Sequence, residues 1–197
     1  MVKEEMKMTF TTIKFFYNGI KVNGEKKLTK MNVYGELDGN IYIIYDWHWT
    51  KDFFEAIKEI AEYCKANNQY LLFETGQETA ITLKRTIETV GTGNLGINLD
   101  PANLLLYGKS NPCDAVDIFG DYVRGVHAKD GEYPTDPKWL GQEKRIGDGR
   151  VNFPVLIKKL IEHGYDGSIT IEREIDGDKQ IEDVIYAKKF LEDILNG

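Results

Sequence analysis

Glu74, Asp100, His127 and Glu172 combine residue types and spacing that suit a divalent cation. Carboxylates favour Mg²⁺ and Mn²⁺, and an imidazole adds affinity for Mn²⁺, Co²⁺ or Zn²⁺. Three carboxylates gathered without a cation would repel one another, so a bound metal ion resolves the cost of bringing them together. A single glutamate at the end of a strand is ordinarily a solvated or capping carboxylate. Here each of the four residues closes an apolar run, and that coincidence sets them apart. The runs are QYLLFE (69–74), LGINLD (95–100), the 122–127 portion of YVRGVHAKD, and SITIE (168–172).

Convergence of these residues requires a scaffold, and the sequence supplies one. Phe53, Ile57, Ile60, Ala61 and Cys64 recur at helical spacing over 52–67, and Asn67-Asn68 ends that segment. Residues 78–90 repeat the pattern with Leu83, Ile87 and Val90, and a shorter helix is expected around 112–119. Asn152 is placed to cap a helix that buries Phe153, Leu156, Ile157, Leu160 and Ile161. GYDG (164–167) stops it, and a last helix uses Ile181, Val184, Ile185, Leu191 and Ile194. Strands connected through helices run parallel, because the crossover returns the chain to the same end of the sheet. All four candidate residues then lie at one rim, where barrel enzymes of this architecture hold their active sites. A closed barrel has eight such strands, and only four are readable here. The expected fold is therefore α/β, a partial or rearranged barrel over 49–197.

Residues 1–48 read as a separate β-rich segment. TFTTIKFFY (9–17), LTKMNVYGEL (28–37) and NIYIIYDW (40–47) are bounded by turn signals, which predicts a small antiparallel hairpin or meander. The chain carries 25 basic and 32 acidic residues, a formal charge of −7. This balance argues against broad binding to nucleic acid or to an anionic membrane surface. No run of 18 apolar residues occurs and the start lacks a secretory pattern, so a soluble cytoplasmic protein is expected. Cys64 and Cys113 show no metal-finger spacing. Cys64 reads as a buried thiol, and Cys113 as a residue at a helix start, where a thiolate is favoured.

Five stretches resemble the xylose-isomerase-like TIM-barrel family of sugar-phosphate isomerases and epimerases, which also takes in endonuclease-four-like enzymes. They are LLFETGQE (71–78), NLGINLDPANLLLYG (94–108), VRGVHAKDG (123–131), IGDGRVNF (146–153) and GYDGSITIERE (164–174). The likeness covers the C-terminal half of the family's barrel. It implies that Glu74, Asp100, His127 and Glu172 are the metal ligands, and that Glu74 and Glu172 also serve as the acid/base pair. It implies a small ketose or aldose substrate processed through an enediolate. Returning the proton to the opposite face of the same carbon gives epimerisation, and returning it to the neighbouring carbon gives isomerisation.

The chain departs from the family pattern in places. Asn103 stands where many relatives have a histidine, and Tyr133 where ketose epimerases often have an arginine. Only three histidines exist, too few for a three-zinc, endonuclease-like centre. Asn103, Lys129, Arg145 and Glu174 are further candidates for touching substrate or the ligands. GDG (147–149) is read as a loop-shaping turn rather than a phosphate loop. The 129–150 loop is long enough to act as a lid, with Trp139 in it. Four strands alone would leave apolar edges open, so two chains are expected to pair as a homodimer, or the aromatic run IYIIYDWHW (41–49) is expected to fold over the gap. The alternative to an enzyme is a non-catalytic half barrel that binds metal or sugar.

Overall fold

The computed structural model describes Thr12–Ile13 and residues 51–197. The antiparallel meander expected over 1–48, and the aromatic run 41–49, lie outside the described residues, apart from Thr12–Ile13. That pair forms a short strand, β1, running parallel to the next strand.

The remaining elements alternate. They are α1 (Lys51–Ala66), β2 (Leu71–Glu74), α2 (Ala80–Val90), β3 (Leu95–Leu99), α3 (Pro101–Leu106), α4 (Pro112–Phe119), β4 (Val123–Ala128), β5 (Asp130–Gly131), β6 (Glu143–Lys144), α5 (Phe153–Glu162), β7 (Ile169–Ile171) and α6 (Asp178–Asn196). A single 3₁₀ turn, Gly120–Tyr122, joins α4 to β4. The main sheet has the order β1-β2-β3-β4-β7 and every pairing in it is parallel, a barrel-like β/α arrangement. β5 and β6 pair antiparallel as a separate two-stranded ribbon.

Local chemistry sets the boundaries. α1 buries Phe53, Ile57, Ala61 and Cys64 on one stripe and ends where Asn68 turns to φ 56°. Thr79 caps α2 by accepting from the Thr82 amide, and Gly91 closes it at φ 65°. Asn111 and Asn152 cap α4 and α5, each with a proline in the first turn, where the missing N–H costs nothing. α3 begins immediately after Asp100, whose carboxylate is its cap.

Side-chain alternation then divides the sheet into two faces. Leu71, Phe73, Leu95, Ile97, Leu99, Val126 and Ala128 join the helices in one continuous apolar core with Phe119, Phe153, Leu156 and Leu160. The opposite face carries Leu72, Glu74, Gly96, Asn98, Gly125 and His127. Gly96 and Gly125 leave room there for Leu72 and Asn98, because a Cβ at Gly125 would stand 2.5 Å from Asn98 Oδ1. The apolar face drives folding, and the other face is left to chemistry.

The 129–150 loop is more ordered than its lack of periodicity predicts. Asp130, buried, accepts from the amides of Gly131 (2.8 Å), Gly147 (2.9 Å), Gly149 (3.1 Å) and Val151 (3.0 Å). Gly149 has no alternative: a Cβ there would lie 2.2 Å from Asp130 Oδ1. The GDG turn is thus wrapped round a carboxylate. At the other side of the ribbon, Glu143 accepts from Arg173 (2.7 Å) and from the Glu174 amide (3.1 Å), tying the loop to the end of β7. Arg173 also reaches the buried Asp183 of α6 (2.9 Å).

Candidate metal centre

β2, β3, β4 and β7 each end at the same rim, and each presents one candidate ligand. Glu74 is the last residue of β2, Asp100 follows β3, His127 lies near the end of β4, and Glu172 follows β7. One ligand atom from each lies within 4.8 Å of the others. Parallel register produces this: Glu74 pairs with Asn98, His127 with Thr170, and the Glu172 amide donates to Ala128 O.

Each side chain is aimed by a neighbour. The Thr75 hydroxyl donates to Asp100 O (2.6 Å) and accepts from Asp100 N (2.8 Å), which fixes the turn out of β3. Asp100 Oδ1 takes the Asn103 amide (3.1 Å), leaving Oδ2 to face the cluster. The Asn98 side-chain amide stands 3.1 Å from His127 Nε2, which holds the ring with Nδ1 toward Glu74 and Glu172.

The centre fits a divalent cation. Asp100 Oδ2 and His127 Nδ1 are shielded from solvent and lack a hydrogen bond of regular geometry among the described residues. Nδ1 lies 2.5 Å from Glu172 Oε2 and 3.8 Å from Glu74 Oε1. Carboxylate oxygens and an imidazole nitrogen gathered this closely are what a shared cation satisfies once their protons leave, and two glutamates, an aspartate and an imidazole form a hard-to-borderline donor set.

The electrostatics fit the same picture. Contact with His127, and then with Lys129, holds the Glu172 carboxyl down to about 2. The same Glu172 contact raises His127 above its ordinary value, against the opposing effect of burial. Burial pushes Asp100 up to about 7, with Lys129 opposing and Glu172 adding to the rise. In the metal-free protein, Asp100 contributes stability that is complete below its ordinary 3.8 and lost as pH rises through about 7. His127 contributes stability that is complete below 6.5 and lost above its raised value. Glu172 contributes in the other sense: its stability is present above 4.5 and lost as pH falls toward 2.

Metal binding must displace the protons on Asp100 and His127. Affinity for Mn²⁺ is therefore expected to rise with pH, by about one power of ten per unit for each of the two groups still protonated, and to level off once both have lost their protons. Titration calorimetry from pH 5.5 to 8, in buffers of different ionisation enthalpy, reads both the slope and the protons released. A flat profile would refute the ligand assignment.

The further candidates separate. Lys129, two residues beyond His127 and so on the same face, is buried and reaches Glu172 Oε1 (2.9 Å), Glu174 Oε2 (2.7 Å) and Asp100 Oδ2 (3.7 Å). Glu174 thus joins Glu172 through a common lysine. The Asn103 side chain donates to Thr75 O (3.1 Å) and braces the backbone. Arg145 pairs with Asp148 (2.9 Å) and lies 4.0 Å over the Tyr186 ring, so it holds the GDG turn. Trp139 is 74% exposed. Tyr133 donates to Ser110 O (3.4 Å). Cys113 does begin a helix, but its thiol is buried and burial pushes it up, away from the thiolate. His163 ends α5 and binds Asp121 (2.7 Å).

Sequence reasoning missed Thr75, Asn98, Asp130 and Glu143. Asn98 had a signal: it lies two residues before Asp100 and so shares its face. Asp130 and Glu143 had none, because their partners are backbone amides and an arginine far along the chain.

The model of the family described as xylose isomerase-like TIM barrel matches residues 32–194. A crystal structure of a xylose isomerase domain protein from Planctomyces limnophilus superposes with a TM-score of 0.72 at 35% identity, covering 77% of this chain and 57% of that one. A D-tagatose 3-epimerase-like protein gives a TM-score of 0.58 at 26% identity, covering 74% of this chain and 54% of that one. Inosose dehydratase of Lacticaseibacillus casei is 26% identical over 136 residues, 62% of this chain and 45% of the dehydratase. The chain thus spans about half the length of these relatives. By the matched model, the chain belongs to the xylose isomerase-like TIM-barrel family.

Proposed function

We propose that the protein is a divalent-metal-dependent isomerase or epimerase of a small ketose, aldose or related sugar. The observation that carries this reading is the convergence of Glu74, Asp100, His127 and Glu172 within 4.8 Å at one rim of a parallel sheet. A cation bound there, Mn²⁺, Mg²⁺, Co²⁺ or Zn²⁺, supplies Lewis-acid stabilisation of the negative charge that builds on the sugar's oxygens.

The chain's own residues supply the proton steps. Glu172, held ionised by His127 and Lys129, has the charge to remove a proton from the carbon beside the carbonyl. Glu74, buried at the end of β2 with β3 and β4 between it and β7, would return one. The enediolate between these steps is symmetric enough that the same pair serves epimerisation or isomerisation. The likeness to an inosose dehydratase supports a second outcome from the same proton abstraction, loss of a neighbouring hydroxyl as water.

The substrate in this reading is a small-molecule sugar, with no nucleic-acid or membrane partner. None of the described helices is long and apolar enough to cross a membrane. A cytoplasmic homodimer suits it, since β7 has only β4 beside it among the described residues.

The test is exchange of the carbon-bound proton in D₂O, followed by NMR over a panel of ketoses and aldoses with Mn²⁺ present. Exchange is expected in at least one sugar and is expected to stop on chelation. Metal binding without exchange in any sugar would leave a binding protein and end the enzyme reading. Products then distinguish epimer, isomer and dehydrated ketone.

A further inference from the structure

Lys129 is an unusual neighbour for a cation site. Its side chain is 2% exposed, and its ammonium lies 2.9 Å from Glu172 and 3.7 Å from Asp100, both candidate ligands. A third contact, 2.7 Å long, goes to Glu174, whose side chain is 60% exposed and is not part of the four-residue cluster. Burying an ammonium is costly unless carboxylates compensate for the lost water, and here three do.

From this geometry we propose that Lys129 is a resident counter-cation. It offsets part of the charge of Asp100 and Glu172 when the metal is away, and by its charge it lowers the affinity of the site so that the metal exchanges readily. The proposal rests on the metal-centre reading given above. With no divalent ion, the ammonium offsets one of three gathered carboxylates and the site stays closed and folded. With the ion bound, a second positive charge stands a few ångströms away from it, and the two repel. Glu174 gives the ammonium a partner outside the ligand set, so it need not leave. Lys129 is thus a positioning residue, holding one oxygen of Glu172 while the other faces the cluster.

Removing the charge should tighten metal binding, an outcome that a purely structural tie would not produce. At pH 8, where the carboxylates are ionised, Lys129→Met is expected to bind Mn²⁺ at least roughly tenfold more tightly than the wild type, the effect of removing one charge about 5 Å from a dication when the pair is screened as fully as in bulk water. Lys129→Arg, which keeps the charge, is expected to stay near the wild-type affinity. The metal-free Lys129→Met protein should melt lower, and Mn²⁺ should raise its Tm by more than it raises that of the wild type.

Calorimetry and thermal melts on all three full-length proteins read these quantities without an activity assay. If the wild type binds no Mn²⁺, the metal-centre reading itself falls. If the wild type binds and Lys129→Met binds equally or more weakly, or cannot be folded even with Mn²⁺ present, the counter-cation proposal is overturned and the centre survives it.

Discussion

Glu172→Gln is expected to abolish proton exchange at the sugar carbon while leaving the fold in place. The substitution keeps the size and one oxygen of the side chain but removes the base. It also removes the charge that raises His127 and that Lys129 faces at 2.9 Å. General-base catalysis of this kind contributes on the order of 10²–10⁴ in rate, so residual exchange should be at least about a hundredfold lower. The circular dichroism spectrum should be unchanged, since Glu172 lies outside the apolar core and its backbone amide bond to Ala128 O remains. Metal affinity should fall as well, because an amide oxygen is a weaker ligand than a carboxylate. Full exchange activity in the glutamine variant would remove Glu172 from the mechanism, whatever its part in holding the ion.

The second large effect is expected at Asp130, which touches no candidate ligand. Its carboxylate gathers four backbone amides across the 129–151 segment. Asp130→Ala strands those donors, two of them in fully buried bonds. Hydrogen bonds to a charged group contribute about 1.5–3 kcal/mol each, less when neighbouring losses share one rearrangement. A net loss of about 4 kcal/mol follows, lowering Tm by roughly 10 °C for a chain of this size. Asp130→Asn retains one acceptor oxygen and should lose about half as much. Chemical denaturation with both variants checks this ordering. Equal stability of wild type and Asp130→Ala would show that the loop is held by other means.

Much of this protein was legible from the order of its residues. Alternation of apolar runs with helical stripes located α1, α2, α4, α5 and α6 to within a few residues, because burial imposes a period of two on strands and 3.6 on helices. The parallel sheet followed from the crossovers. The four candidate ligands followed in turn, since residues that end parallel strands must share a rim. α3 escaped notice: six residues, Pro101–Leu106, are too few to show a period. The β5–β6 ribbon escaped because two-residue strands carry no pattern at all.

Tertiary structure decided how the side chains are used. Asn103, Lys129, Arg145 and Glu174 were indistinguishable as candidates along the chain. In the folded protein Asn103 turns to the Thr75 carbonyl and Arg145 to Asp148 and Tyr186, while Lys129 and Glu174 meet beside Glu172. The physical reason lies in range. Spacing along a strand determines the face on which a residue lies, a local property. Which partner a polar group finds there depends on what other strands and loops bring within about 3 Å of it. Asp130 shows the limit most clearly: its sequence neighbours announce a turn, and only the folded loop reveals that the turn is built around its carboxylate.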